Sequence, residues 1–220
     1  MRYADRTDAG RQLAALLRGR QWRDPVVLAL PRGGVPVAAP IAVALGAPLD
    51  VIVVRKLGAP RQPELAIGAI AEPDIRVLDP TLVDRLRLDE AAVAAIEADE
   101  RRELQRRIHR YRGDRDLPSL TGRSVIVVDD GLATGATAVA ACRAARAAGA
   151  AQLVLAVPVG SGPGVEHLRA EVDEVVCPVV PHAFRAVGQW YEDFGQTSDD
   201  EVLALLATQP VVNPDTDAPR

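Results

Sequence analysis

Asp129 and Asp130 stand side by side at the end of a run of four β-formers, Val125, Ile126, Val127 and Val128. Gly131, Leu132, Ala133, Thr134, Gly135, Ala136 and Thr137 follow, and the alanine-rich segment 136–148 is a strong helix former. The apolar run reads as a buried parallel strand, which makes the whole a strand-loop-helix junction. Such a junction aims free backbone N–H groups and the positive end of a helix dipole at one point, where a phosphate fits. Thr134 and Thr137 can add hydroxyl donors, and Gly131 and Gly135 let the backbone come close. Two carboxylates beside that cradle would repel a second phosphate. They suit the vicinal hydroxyls of a ribose, with a divalent cation nearby that reaches them through those hydroxyls or through water. The expected ligand is a sugar 5-phosphate.

Two further candidates are basic. The turn Pro31-Arg32-Gly33-Gly34 lies between an apolar strand at 26–30 and a helix at 36–45. Its glycines permit close backbone approach and Arg32 offers a fork of donors to an anion. A tight turn with a solvent-facing arginine is the competing reading. Arg55 and Lys56 fall just past a strand read at 50–54, on the edge of a parallel sheet where ligands bind. The chain holds 25 arginines and one lysine, Lys56. Where arginine replaces lysine so widely, a retained lysine points to a need for a compact, strongly hydrated ammonium. Near the C-terminus, Phe184, Trp190, Tyr191 and Phe194 are four of the seven aromatic residues. Flat rings can stack on a nucleobase, with Asp193 or Glu192 accepting from a ring N–H. Equally, they can anchor an irregular segment to the sheet. His109, His167 and His182 are dispersed, without metal-ligand spacing.

The segment 125–137 resembles the phosphoribosyl-pyrophosphate (PRPP) motif of the type I phosphoribosyltransferases: apolar strand, acid pair, a loop with Thr-Gly and a closing Thr. The resemblance implies that Gly131, Ala133, Thr134, Gly135, Ala136 and Thr137 hold the 5-phosphate while Asp129 and Asp130 orient the ribose. Pro31, Arg32, Gly33 and Gly34 resemble the family's pyrophosphate loop, which often holds a non-proline cis peptide; here that bond would be Pro31–Arg32. Arg55, Lys56 and the segment after them resemble the region of pyrophosphate-contacting basic residues and a mobile flap. The implied reaction is Mg²⁺-dependent transfer of ribose 5-phosphate from PRPP to a nucleobase or similar nitrogen acceptor. Arg32 and Lys56 would stabilise charge developing on the leaving pyrophosphate. Transferases for 6-oxopurines carry Asp where Ala133 stands, which disfavours hypoxanthine or guanine and leaves the base open. The same cradle suits a PRPP-sensing or nucleotide-sensing regulator with little turnover, or a hydrolase or pyrophosphorylase of phosphorylated ribosides. The family resemblance also favours a homodimer.

The elements that must position these groups alternate without repeats. An amphipathic helix at 7–19 precedes the first strand. After Lys56, residues 57–66 hold two prolines and no period, so they read as a loop. A short hairpin at 67–70 and 75–78 leads to a helical stretch from Asp79 to about Arg112, restarting at Asp89. Strands at 153–157 and 174–177, a short helix at 165–170 and a last helix capped by Ser198 or Asp199 complete the pattern. The expectation is a single α/β domain over 1–208. It has an open, mostly parallel sheet of about five strands flanked by helices. The insertion 57–120 and the C-terminal segment 181–208 form a hood, and 209–220 read as a frayed tail.

Composition removes other classes. A net charge of −4, from 26 basic and 30 acidic residues, argues against a broad nucleic-acid or membrane surface. Two cysteines, Cys142 and Cys177, are no disulfide framework and fit a reducing cytoplasm. Charges run through the first 24 residues, unlike a signal peptide, and no segment approaches the roughly 20 apolar residues of a membrane span.

Overall fold

A computed structural model of the chain describes residues 2–72 and 74–208. The expected frayed tail at 209–220 lies outside the described residues. Five parallel strands form the central sheet: β1 (Val26–Ala29), β2 (Leu49–Val51), β6 (Ser124–Val128), β7 (Gln152–Ala156) and β8 (Glu174–Val176), in the order β2-β1-β6-β7-β8. A separate antiparallel sheet contains β3 (Val54–Ala59), β4 (Gln62–Ala71) and β5 (Ile75–Leu78).

The central strands are predominantly apolar because both faces of the sheet are covered, the polar residues Ser124, Gln152 and Glu174 standing at strand starts and Asp50 being buried against Arg112. Val27 and Ala29 of β1 face the core beneath α1 (Arg6–Leu17) and α2 (Gly34–Leu45), whereas Val26 and Leu28 face α5 (Ala136–Ala147). Each fully buried Val, Leu or Ile side chain contributes about 1.5–3 kcal/mol of transfer free energy. Helix α1 begins at Asp5, whose carboxylate accepts from the Asp8 N–H. Gly10 lets α1 press on α2, since a Cβ there would lie 2.3 Å from the Val37 carbonyl oxygen. The short helix α6 (Gly162–Arg169) starts at a Ser161 cap.

The insertion departs from the expected layout in two ways. Residues 50–54 do not make one strand: β2 stops at Val51 and Val54 opens β3 in the second sheet. At the junction, the Val51 carbonyl accepts from Arg112 Nη2 at 2.6 Å and the Val53 N–H donates to Glu72 Oε1 at 3.0 Å. Side chains satisfy the backbone there, so the chain can leave the parallel sheet. Residues 57–66 are no structureless loop either. They form most of a β3–β4 hairpin that turns at Pro60 and Arg61, with Ala59 opposite Gln62. Both prolines are accommodated, Pro60 in the turn and Pro63 where the register shifts around Gly58. Arg55 and Lys56 therefore sit within β3 and not beyond a strand end.

The rest of the insertion follows the expected pattern. Asp79 caps α3 (Pro80–Arg85) and Asp89 caps α4 (Glu90–Arg112), the restart read from sequence. Arg112, 4% exposed, closes the insertion onto the main body. It ion-pairs with Glu72 and with Asp50, the latter at 3.3 Å. Ser198 and Glu201 form a capping box on α7 (Asp199–Ala207).

Candidate active site

Strand order fixes where the site must be. The chain runs from β1 outward to β2 and later from β6 outward to β7, so the order reverses between β1 and β6. Ligands of open α/β sheets bind in the crevice beyond the carboxyl ends of the strands at such a reversal. Ala29 pairs with Val128, so the turn 31–34 and the acid pair leave the sheet side by side. The Leu30 N–H donates to the Val128 carbonyl at 2.8 Å. A Cβ on Gly33 would lie 2.1 Å from Asp130 Oδ2, and one on Gly34 would lie 2.6 Å from the Val128 carbonyl oxygen. Only glycines allow this approach. A cis peptide joins Pro31 to Arg32.

Asp129 and Asp130 are half-buried and electrostatically linked. Burial pushes the Asp129 carboxyl well above the ordinary carboxylate range, and the neighbouring Asp130 charge adds to it. The Asp130 backbone N–H, which donates to Asp129 Oδ1 at 2.8 Å, pulls the other way, as do the charges of Arg6 and Lys56. Burial also raises Asp130, against the Arg6 guanidinium bonded to it. Arg6 Nε donates to Asp130 Oδ2 at 2.8 Å and Nη1 to the Gly195 carbonyl at 2.6 Å. Its guanidinium carbon lies 3.9 Å from the Phe194 ring centre. Arg6 is a site residue that sequence reasoning missed. It stands among 25 chemically identical arginines, 124 positions from its partner, and no local pattern marks it.

The loop after the acid pair is pinned from the neighbouring β7–α6 turn. The Leu132 N–H donates to the Val159 carbonyl at 2.9 Å, and the Ser161 hydroxyl donates to the Ala133 carbonyl at 2.6 Å. Gly135 opens α5 with φ +82°, a conformation that favours glycine. No side chain caps that helix, so its leading N–H groups remain available to an anion. Ala133 and Thr134 are exposed, Ala136 and Thr137 half-buried.

The basic candidates separate. Alternation along β3 sends Arg55 to α4, where Nε meets Glu100 Oε2 at 2.6 Å, and leaves Lys56 exposed on the other face. Lys56 is the member of the pair whose charge reaches Asp129. Arg32 is half-buried, with Nη1 4.0 Å from Asp199 Oδ1.

The C-terminal segment closes over the acid pair. Tyr191, 4% exposed, donates its hydroxyl to the Asp130 carbonyl at 2.6 Å and packs against Tyr3 and Phe194 at 5.6 and 5.0 Å between centroids. Val187, in the 3₁₀ turn Val187–Trp190, occupies the space a Cβ on Gly131 would need, at 2.4 Å. Trp190 packs in the same small cluster, its indole N–H buried without a hydrogen-bond partner among the described residues. Phe184 is half-buried, and Asp193 accepts from the Gly195 N–H at 2.9 Å. The structure thus gives Tyr191 an anchoring role, whatever the other rings contact.

A reversal-point crevice with an acid pair, a glycine-rich anion turn and an uncapped helix N-terminus defines a class. The family model of the phosphoribosyl transferase domain matches residues 3–193, and the chain belongs to that family. A Mycobacterium tuberculosis protein (strain H37Rv), named as a candidate phosphoribosyl transferase, is 56% identical over 204 residues. Those residues are 93% of this chain and 46% of that protein, so the chain spans about half the length of the curated relatives it matches. The crystal structure of TT1426 from Thermus thermophilus has 45% identity and a TM-score of 0.83, covering 94% of this chain and 98% of that one. The AQ2163 protein of Aquifex aeolicus shares the fold at 12% identity and a TM-score of 0.51, over 83% of this chain and 78% of its own.

Proposed function

We propose that the protein is a phosphoribosyltransferase that moves ribose 5-phosphate from PRPP to a nitrogen acceptor, a nucleobase or a similar group, and releases pyrophosphate. One observation carries this reading. At a single sheet edge lie the acid pair, the turn holding Arg32 and the uncapped N-terminus of α5, groups whose chemistry suits ribose, pyrophosphate and 5-phosphate respectively. The N–H groups of 133–137 bind the 5-phosphate; Asp129 and Asp130 accept from the ribose hydroxyls and fix the ring. Arg32 and Lys56 face the charge that grows on pyrophosphate as the bond to C1 breaks. Most of the help is positional and electrostatic.

Magnesium fits the donor set as a cation shared with the ligand. Among the described residues no group of three or more His, Cys, Asp or Glu could hold a metal, and Asp130 is already paired with Arg6. A Mg²⁺ ion completed by ligand oxygens and water, with one or two carboxylates close by, matches that ion's habits. When bound, it supplies positive charge that offsets the pyrophosphate.

No helix among the described residues is long and apolar enough to cross a membrane, and the reading places the protein in the cytoplasm as a homodimer. The close seat of Val187 and Tyr191 on residues 130 and 131 favours a second reading, a PRPP sensor that binds without turnover. Incubation with PRPP, Mg²⁺ and a panel of bases, followed by pyrophosphate measurement, separates them. Base-dependent release supports the transferase. PRPP binding with no release under any base supports the sensor, and no PRPP binding removes both.

A further inference from the structure

The first turn of α7 sets a carboxylate against the anion turn. Asp199 Oδ1 accepts from the Tyr111 hydroxyl at 2.6 Å and lies 4.0 Å from Arg32 Nη1. Asp199 Oδ2 lies 2.9 Å from Arg110 Nε. A hydroxyl and two guanidinium groups, drawn from the turn after β1 and the end of α4, surround one carboxylate as they would surround an external anion. Here the chain supplies the anion.

Its placement is fixed. The Tyr111 hydroxyl that holds Asp199 belongs to a residue only 4% exposed, and the Ser198 capping box sets the start of α7. The adjacent Asp200 is a built-in contrast: among the described residues it pairs with Arg110 alone, at 3.4 Å, and is 91% exposed. A pyrophosphate arriving at Arg32 would bring several negative charges beside Asp199, and like charges at such range repel.

Resting on the reading that Arg32 meets pyrophosphate, we propose that Asp199 is the internal counter-anion of Arg32. It positions the guanidinium in the ligand-free protein, competes with the ligand for it, and so makes α7 a latch that weakens the grip on released pyrophosphate.

Titration calorimetry of the full chain with inorganic pyrophosphate and Mg²⁺ tests this. Asp199→Asn keeps the shape and an acceptor for Tyr111 but removes the charge. It is expected to bind pyrophosphate about fivefold tighter, a modest gain because both partners are about a third exposed and screened. Asp200→Asn should stay within about twofold of wild type. The gain should vanish in an Arg32→Ala background, which a merely structural role would not produce. Asp199→Ser, equally at home in a first helical turn, gives the same comparison if the Asn variant folds poorly. Unchanged or weaker binding in both Asp199 variants, with wild type binding normally, overturns the latch and leaves the transferase reading intact. Absence of pyrophosphate binding in wild type and variants alike overturns both.

Discussion

Asp129 is where electrostatics and recognition conflict. Folding raises its carboxyl and that of Asp130 above the ordinary value of 3.8. Between that value and the raised one, the native state binds more protons than the unfolded chain. Stability therefore falls as pH rises through this window, and the charged pair costs stability at neutral pH. Asp129→Asn should hold or raise the melting temperature at pH 7, the advantage shrinking towards pH 4. It should weaken PRPP binding by about tenfold or more, since charged hydrogen bonds contribute roughly 1.5–3 kcal/mol each. Calorimetry across pH and a PRPP titration check both halves; a large loss of melting temperature with unaltered affinity would make the pair structural. Lys56 gives a second test. Its exposed ammonium acts on Asp129, and a broader guanidinium in its place changes geometry and hydration. Lys56→Arg should lower kcat/KM for PRPP at least about tenfold, or 1.4 kcal/mol. Wild-type kinetics would remove Lys56 from the site.

At the scale of elements, two contacts decide whether the site assembles. Gly34→Ala would put a Cβ 2.6 Å from the Val128 carbonyl oxygen, a backbone atom of the central strand β6 that cannot give way cheaply. The start of α2 must shift and carry Arg32 with it. Loss of PRPP binding beyond what the fall in melting temperature explains is the expected signature. Arg112 works at longer range. Its side chain is 1% exposed and satisfies Glu72, Asp50 and the Val51 carbonyl together. Arg112→Met leaves two buried carboxylates without their cation, a loss of about 3–5 kcal/mol. For a chain of this size that is a fall of roughly 6–20 °C, measurable by scanning calorimetry. A fall under about 2 °C would show that solvent reaches the cluster and replaces the arginine.

For the whole molecule, the outer side of α1 and α2 is the unfinished surface. Helix α2 has no charged residue in its 12 positions, and a helix apolar all round is normally covered all round. Val43 is 71% exposed and Leu16 48%. A groove of about 450 Å³ is lined by Val43 with Ala14, Pro36, Ala39, Pro40 and Leu205, and by Arg11 of α1 and Arg18 at its C-terminal cap. If the protein forms the proposed homodimer through this face, wild type should sediment as a dimer and Val43→Glu as a monomer with an unchanged circular dichroism spectrum. A Val43→Glu dimer would move the interface elsewhere.

The apolar run 125–128, the acid pair, the glycine-bearing loop and the alanine helix after it were legible in the sequence because each depends on neighbours within a few positions. So were the caps Asp79, Asp89 and Ser198, which need only their own first helical turn. The β3–β4 hairpin was not. Two prolines hid it, and its stability comes from burial of Leu57, Ile67 and Ile70 in one core cluster and of Val54, Ala69 and Ala71 against α5 in the other, with partners that lie far along the chain. Arg6 on Asp130, Arg112 on Glu72 and Asp199 near Arg32 were equally hidden. An ion pair between distant positions leaves no local trace, and the choice among 25 arginines is made only when strand order and helix packing bring one of them within reach.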